Sequence, residues 1–253
     1  MFTIALIVVI GVYVSTKVFA VVRGPLPSAG RLALFVTVWP GVRIEPFATP
    51  RRADPAAARL VRHGGAVAAA GVVNWVALSR FAHVLPPGVV GWLGIGVILT
   101  TLHLGLSDVV TGGLRLAGYP VRRLFADPLT SRSLGEFWTS RWNAAFVEMN
   151  QLIVVPFLRR FLGRYARAGA FVVSGLLHEL AISLPVRAGF GLPTLYFAIH
   201  ALAVSLEPRL GVRRWPPLPA RVWTWSLLLA PLPLLFHQAF RDALVLPLFG
   251  GSS

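Results

Sequence analysis

Apolar stretches long enough to cross a membrane run through this sequence, and arginine-rich loops separate them. The first is residues 1–22, MFTIALIVVIGVYVSTKVFAVV, about the length that an α-helix needs to span the hydrocarbon core. It lacks the basic start of a secretory signal, and Lys17 interrupts the place where a cleavage region would lie. We therefore interpret it as a retained first helix.

Further candidate helices follow this first one, and prolines between them end or kink each segment. About six of the roughly eight segments are long enough to cross a bilayer. We find no internal repeat, low-complexity tract or soluble domain. The sequence predicts one all-α domain over residues 1–253, a polytopic membrane protein with about seven or eight transmembrane or re-entrant helices around an internal reaction chamber. The later segments are 31–42 (short), 64–84, 88–112, 144–158 (short), 168–185, 190–206 and 220–240.

Composition supports a membrane protein and excludes several classes of site. Hydrophobic residues make up 56% of the 253 residues and charged residues only 13%, too few for a soluble domain of this size. The net charge of +15 would suit nucleic acid if it formed a water-facing patch. The arginines instead lie between apolar segments, as in cytoplasmic loops. The absence of cysteine excludes disulfides, thiolate metal sites and a cysteine nucleophile.

The arginine distribution predicts an unusual segment at 144–158, which has basic loops on both of its sides. If it crossed the membrane, one of these loops would lie outside, against the positive-inside rule. We expect the segment to dip in and return, or to lie along the interface. Residues 133–167 would then form the wall of a chamber that opens to the cytoplasm.

His178 lies near the middle of the apolar helix at 168–185, and Ser174 lies one turn before it on the same face. Ionisable groups at this depth usually face a cavity or a partner. A neutral histidine beside a cavity can accept a proton from a hydroxyl. The alternative is a structural contact between packed helices, where Gly175 allows close approach.

Glu179 follows His178 directly and points about 100° away from it, so it is not an obvious partner of the imidazole. We expect it to pair with an arginine, and Arg141 is the candidate. A zinc motif of the HEXXH type is excluded because Ile182 occupies the place of the second histidine, and we expect no metal. Other polar residues at membrane depth are read as packing or cavity-lining groups: His103, Asp108, His200 and His237.

Two blocks in this order make the sequence similar to a known family. The first is SLGEFWTSRWN, residues 133–143, and the second is SGLLHE, residues 174–179, inside an apolar helix. Together they resemble the S-L-x-x-F-W-x-x-R-W-N and S-G-x-x-H-E blocks of the wax synthase-like branch of the membrane-bound O-acyltransferase family. Residues 39–41, Trp-Pro-Gly, also occur near the start of such proteins. The resemblance is strongest over about 127–206.

The resemblance implies a reaction and two catalytic residues. An acyl group would move from acyl-CoA, a co-substrate, to the hydroxyl of a lipophilic alcohol, with no further cofactor. His178 would be the essential residue and act as a general base, and Asn143 would be the second member. Asn143 could donate to the developing oxyanion, or instead position His178 or the acceptor.

Other residues of the two blocks are candidates for substrate binding: Trp138, Trp142, Arg141, Ser174 and Glu179. The two tryptophans could line an acyl tunnel or anchor the block at the interface. We expect Glu136 and Arg141 to hold the shape of the block by polar contacts. Nearby arginines could attract the phosphates of coenzyme A or simply set topology: Arg122, Arg123, Arg159, Arg160, Arg164 and Arg167.

Several functional alternatives stay open. A long-chain alcohol would give a wax ester, whereas the short chain also fits an acetyltransferase of a small lipophilic metabolite. A membrane transporter is the candidate from another class, but no pair of broken helices in two repeated halves supports it. A catalytically dead scaffold is disfavoured because both His178 and Asn143 are present. The preference for arginine over lysine, with abundant Ala, Gly and Pro, points to a GC-rich bacterial genome and a plasma membrane.

Overall fold

The computed structural model describes residues 2–250, and all regular structure among them is helical, without a strand. Five π-helical segments, with one extra residue per turn, interrupt or extend the α-helices at 99–106, 137–141, 150–154, 179–183 and 241–245. The α-helices are α1 Phe2–Arg23, α2 Ala29–Thr37, α3 Glu45–Ala48, α4 Ala57–Phe81, α5 Pro87–Ile98, α6 Ser107–Leu116, α7 Leu134–Glu136, α8 Ala144–Met149, α9 Val155–Leu162, α10 Ala166–His178, α11 Leu184–Val186, α12 Leu192–Leu210, α13 Pro217–Leu229, α14 Leu232–Leu235 and α15 Gln238–Phe240.

Five helical stretches are long and apolar enough to cross a membrane: Thr3–Arg23, Ala57–Val84, Pro87–Leu116, Ala144–Val186 and Pro217–Leu235. They agree with an all-α polytopic membrane protein. The segment predicted at 190–206 forms the helix α12, but α12 is not one of these five stretches, because it extends to Leu210 and includes Glu207 and Arg209. These charged residues reduce its apolar character.

The helices form two compact units, each described by itself below. Among the described residues, the first unit contains 2–10 together with Ala126–Trp142 and Met149–Leu244. The second unit contains Gly11–Phe125, Asn143–Glu148 and 245–250. The single domain over residues 1–253 stays a prediction.

In the first unit the chain reverses direction between α9 and α10. Gly163 ends α9 with a positive φ of 50°, a conformation that glycine adopts without a steric penalty. The helix α10 then packs back on α9 so closely that a Cβ on Gly169 would lie 3.1 Å from Cδ1 of Leu158. The chain thus turns back after residues 144–158, and their position in or along a membrane stays a prediction.

The core of the first unit forms around α12. Leu134 and Phe137 pack with Ala203 of α12 and Leu228 of α13, all of them buried. A second cluster joins Phe197 of α12 to the end of α10 and to α14. The aromatic side chains of the SLGEFW block therefore belong to this core, and they tie residues 133–142 to α12.

In the second unit α4 packs along α5, the π-helical segment 99–106 and α6. Small residues allow the close approach: a Cβ on Gly105 would lie 2.6 Å from the backbone nitrogen of Ala68. Asp108 of α6 is 1% exposed, and it forms a bidentate ion pair with Arg123, with both N–O distances at 2.7 Å. One predicted phosphate-binding arginine is thus engaged by a buried carboxylate.

The same unit holds the Trp-Pro-Gly segment by two buried charged groups. Lys17 Nζ donates to the carbonyl oxygens of Trp39 (2.5 Å) and Gly41 (2.7 Å). The carboxylate of Glu148 accepts from the N–H groups of Val42 (2.9 Å) and the following residue (3.1 Å). The segment therefore connects α1 to α8, the helix that follows Asn143.

Candidate active site

The imidazole of His178 is held in one orientation at the end of α10. Its Nδ1 lies 2.6 Å from the carbonyl oxygen of Ser174, one turn earlier. A carbonyl can only accept a hydrogen bond, so in the neutral ring Nδ1 carries the proton and Nε2 carries the lone pair. The side chain is half-buried. This tautomer is the one that a general base acting through Nε2 requires.

Ser174 therefore contacts His178 through its backbone carbonyl oxygen rather than through its hydroxyl group. Its hydroxyl donates to the carbonyl oxygen of Ala170 at 2.9 Å, a common arrangement for serine inside a helix. The expected close approach at Gly175 is confirmed, because a Cβ there would lie 2.7 Å from Cα of Thr194. Binding of substrate by Ser174 stays a prediction.

Glu179 does not pair with Arg141, and the expectation of that ion pair is wrong. Its Oε1 accepts from the N–H groups of Gly191 and Thr194, both at 3.0 Å, and from the Thr194 hydroxyl at 2.9 Å. Because the N-terminus of α12 offers N–H groups that lack partners inside the helix, a carboxylate is stabilised there. Glu179 thus joins the end of α10 to the start of α12.

An open cavity of about 640 Å³ lies beside this junction. Its wall is almost entirely apolar and comes from the last turn of α10 and the turns that follow it, with Leu176, Leu180 and Leu184, and from Phe190. Glu179 and Thr194 are the polar residues that line it. Such a wall suits an alkyl chain better than a polar ligand.

The start of the SLGEFW block is held by Glu207, a residue that the sequence did not single out. Its buried carboxylate accepts from the N–H groups of Leu134 (2.6 Å) and Gly135 (2.9 Å) and from Trp223 Nε1 (3.2 Å). Charge-assisted bonds of this kind are stronger than neutral ones. The signal that could have found it is an acidic residue near the end of an otherwise apolar helix.

Replacing Glu207 by alanine should destabilise the first unit. It removes three hydrogen bonds and leaves two backbone N–H groups near the core without an acceptor, which costs roughly 2–4 kcal/mol. We expect a melting temperature in detergent several degrees below that of the unmodified protein. Glu45, which is exposed, provides the control: Glu45→Ala should melt close to the unmodified protein. Equal melting of both variants would contradict the proposed anchor.

Glu136 and Arg141 hold the shape of the block, as expected. Arg141 Nε donates to Glu136 Oε1 at 2.6 Å, and its Nη1 reaches the carbonyl oxygens of Ala126 and Asp127. Burial alone would raise the pKa of the Glu136 carboxyl, but hydrogen bonds from the Arg132 N–H and from Arg141, with the charges of both arginines, hold it below its usual value. Substrate binding by Arg141 stays a prediction.

The two tryptophans of the block take different positions around Phe137. Trp142 stacks on the Phe137 ring with 5.3 Å between centroids, whereas Trp138 meets that ring edge-on at 5.0 Å. Trp138 also lies 5.6 Å from the ring of Phe197, and the His178 ring lies 4.6 Å from Phe197. Trp138 and His178 therefore both pack near the ring of Phe197, whereas Trp142 packs on the ring of Phe137.

Asn143 belongs to the second unit and has a backbone conformation that most residues avoid. Its φ is 47°, in the left-handed region that asparagine tolerates better than most residues. Its Oδ1 accepts from the N–H of Phe146 at 3.1 Å, and its backbone carbonyl accepts from Val147 at 3.0 Å. Asn143 therefore caps the start of α8. Its pairing with His178 stays a prediction.

Three of the remaining polar residues have structural partners. His200 is fully buried and its Nδ1 lies 2.8 Å from the Tyr196 carbonyl oxygen. His237 Nδ1 accepts from the N–H of Phe240 at 3.3 Å. The Arg164 guanidinium stacks on the ring of Tyr165 at 4.8 Å. Among residues 2–250, no group of three His, Asp or Glu side chains is placed to hold a metal ion.

Comparison with known proteins points to one family. Residues 121–199 match the Membrane bound O-acyl transferase family, and this range includes both blocks. A probable long-chain-alcohol O-fatty-acyltransferase 2 of Arabidopsis thaliana is 33% identical over 159 residues, 57% of this chain and 43% of that protein. A probable long-chain-alcohol O-fatty-acyltransferase 7 of the same plant is 27% identical over 173 residues, 60% of this chain and 48% of that protein.

A long-chain-alcohol O-fatty-acyltransferase of Simmondsia chinensis is 34% identical over 121 residues, 43% of this chain and 33% of that protein. The matched part is less than half the length of each of these three relatives. No solved structure matches the chain.

Proposed function

From its confirmed resemblance to the membrane-bound O-acyltransferase family, in the wax synthase-like branch, we propose that this integral membrane protein is an acyltransferase. It would transfer an acyl group from acyl-CoA to the hydroxyl of a lipophilic alcohol. The observation that carries the proposal is the hydrogen bond from His178 Nδ1 to the Ser174 carbonyl oxygen, at 2.6 Å. Because Nδ1 is bonded in this way, Nε2 carries the lone pair that would accept the proton of the alcohol.

The chemistry follows from this tautomer. The alcohol proton passes to His178 Nε2 as the alcohol oxygen forms a bond to the thioester carbonyl carbon. The C–S bond then breaks, and the sulfur of coenzyme A leaves as a thiol with the proton that His178 held. The half-buried, largely apolar surroundings of His178 favour the neutral imidazole, which is the form that can accept the proton.

In this proposal Asn143 is the second catalytic residue, because the resemblance of residues 133–143 to the first block of the family implies that role. Because its Oδ1 accepts from the Phe146 N–H, its amide group would act through Nδ2, as a donor. A donor stabilises the negative charge that develops on the carbonyl oxygen in the transition state.

A long-chain alcohol is the acceptor that we favour, with a wax ester as the product. The names of the relatives specify long-chain alcohols, and the apolar cavity beside Glu179 has room for an alkyl chain. The alternative acceptor is a small lipophilic metabolite that receives an acetyl group. The co-substrate would be acyl-CoA, with no metal and no bound cofactor. A bacterial plasma membrane is proposed from arginine usage alone, and the matched relatives are plant proteins.

Ester formation by the purified protein tests the proposal. The protein in detergent or nanodiscs is mixed with radiolabelled acyl-CoA of two to eighteen carbons and with alcohols from short to long chain. We expect labelled ester from a long acyl-CoA and a fatty alcohol. Ester only from acetyl-CoA and a small alcohol would support the alternative, and no ester from any pair would contradict the function.

A further inference from the structure

The indole of Trp138 in the first unit carries a buried N–H group without an acceptor. Its Nε1 has no hydrogen-bond partner among residues 2–250. Three other tryptophans of this unit have one: Trp215 donates to the Leu210 carbonyl oxygen at 3.1 Å, Trp223 to Glu207 Oε1 at 3.2 Å and Trp225 to the Leu129 carbonyl oxygen at 3.3 Å. A buried tryptophan N–H usually finds a partner, because an unpaired donor is costly. Trp138, which lies in the SLGEFWTSRWN block, departs from this pattern.

The Trp138 ring packs among aromatic rings, and one of them, Phe197, also packs on His178. The indole meets the ring of Phe171 edge-on, with 6.1 Å between centroids, and lies 5.4 Å from the ring of His200. It shares Phe197 with His178, as described above. A polar group enclosed by aromatic rings is weakly screened, so a hydrogen bond formed there is electrostatically stronger than one in water.

The chemistry of the group restricts what it can bind. An indole N–H donates and cannot accept, so its missing partner is an acceptor atom. In the acyl transfer proposed above, the alcohol proton goes to His178, whereas the carbonyl oxygen of the acyl group gains negative charge and needs donors. That oxygen is an acceptor present only when substrate is bound, which agrees with a donor that has no partner among the described residues.

We propose that Trp138 Nε1 donates a hydrogen bond to the carbonyl oxygen of the acyl group during transfer. Trp138 thereby becomes a catalytic residue rather than only an interfacial anchor or a tunnel wall. The inference rests on the proposed function, since it assumes acyl transfer at His178. It adds a donor from the first unit to the one expected from Asn143.

Substitution of Trp138 by phenylalanine removes the N–H and keeps an aromatic ring. We expect kcat to fall about 100-fold with KM for acyl-CoA nearly unchanged, because the bond strengthens as charge develops. We expect an unchanged or higher melting temperature, because the variant removes an unpaired buried donor. The control is Trp225→Phe, which removes a paired N–H on the same core cluster and should keep full turnover.

A shape-matched variant covers the case in which phenylalanine leaves a damaging cavity. Site-specific incorporation of 3-benzothienylalanine at position 138 keeps the bicyclic shape and replaces N–H by sulfur. Loss of kcat with this residue supports the donor, because packing is preserved. If the protein with 3-benzothienylalanine keeps full turnover and the unmodified protein forms ester, the role proposed for Trp138 is wrong while the proposed function stands. No ester from the unmodified protein would instead overturn the function, and the inference with it.

Discussion

Ester formation should fall roughly 1,000-fold when His178 is replaced by asparagine, because the general base is lost. Asparagine can still donate from its side-chain amide to the Ser174 carbonyl oxygen, the bond that His178 Nδ1 makes at 2.6 Å. It has no basic nitrogen in the place of Nε2. The end of α10 should therefore keep its structure while proton transfer from the alcohol stops. The measurement is kcat with a fatty alcohol and a long acyl-CoA, at saturating concentrations of both.

Two companion variants make this result interpretable. His178→Ala removes both the base and the bond to Ser174, so it should lose activity and also some stability. His83 is exposed, and His83→Ala should leave turnover unchanged. If His178→Asn inserts into the membrane, melts like the unmodified protein and still turns over at the full rate, the assignment of the base to His178 is wrong.

Asn143→Asp should reduce kcat by at least about 100-fold without unfolding the protein. Aspartate tolerates the left-handed backbone conformation at φ 47° and can accept the hydrogen bond from Phe146 that Asn143 Oδ1 accepts. It lacks the amide N–H donor, and its negative charge opposes charge on the carbonyl oxygen. The substitution thus separates the capping role, which it keeps, from the donor role, which it removes.

The comparison with Asn143→Ala completes this test. Alanine loses the cap, which costs about 1 kcal/mol, and it also strains the backbone, so its melting temperature should fall together with its activity. Asn143→Asp should lose activity alone, with KM for acyl-CoA close to that of the unmodified protein. Wild-type turnover in Asn143→Asp would show that Asn143 is only a structural cap of α8.

Polar contacts within the first block could be predicted, whereas contacts to distant residues could not. Glu136 and Arg141 are five positions apart, and the expectation that they shape the block is confirmed at 2.6 Å. Glu179 was expected to meet Arg141, but its partners are Gly191 and Thr194. The partners of Glu179 depend on the position of the N-terminus of α12 next to the end of α10. No pattern of residues close in the sequence predicts that position.

The same distinction applies to the candidate site. The position of His178 within an apolar helix made it the candidate base, and the two blocks pointed to the family whose model matches residues 121–199. The hydrogen-bonded tautomer, the anchoring of the block by Glu207 and the unpartnered N–H of Trp138 came only from the structure. Glu207 lies more than seventy residues from its partners Leu134 and Gly135, so spacing along the chain offers no hint of that contact.

By itself the sequence determined that this chain is a helical membrane protein with basic loops and an acyltransferase-like pair of blocks. Hydropathy and helical periodicity depend on residues that are close in the chain, so they can be read directly. Tertiary structure alone decided which acceptor a buried donor meets and which donor, like Trp138 Nε1, has no acceptor among residues 2–250. The partners come from helices that pack together from distant parts of the chain, and most buried polar groups are satisfied by what that packing brings within reach.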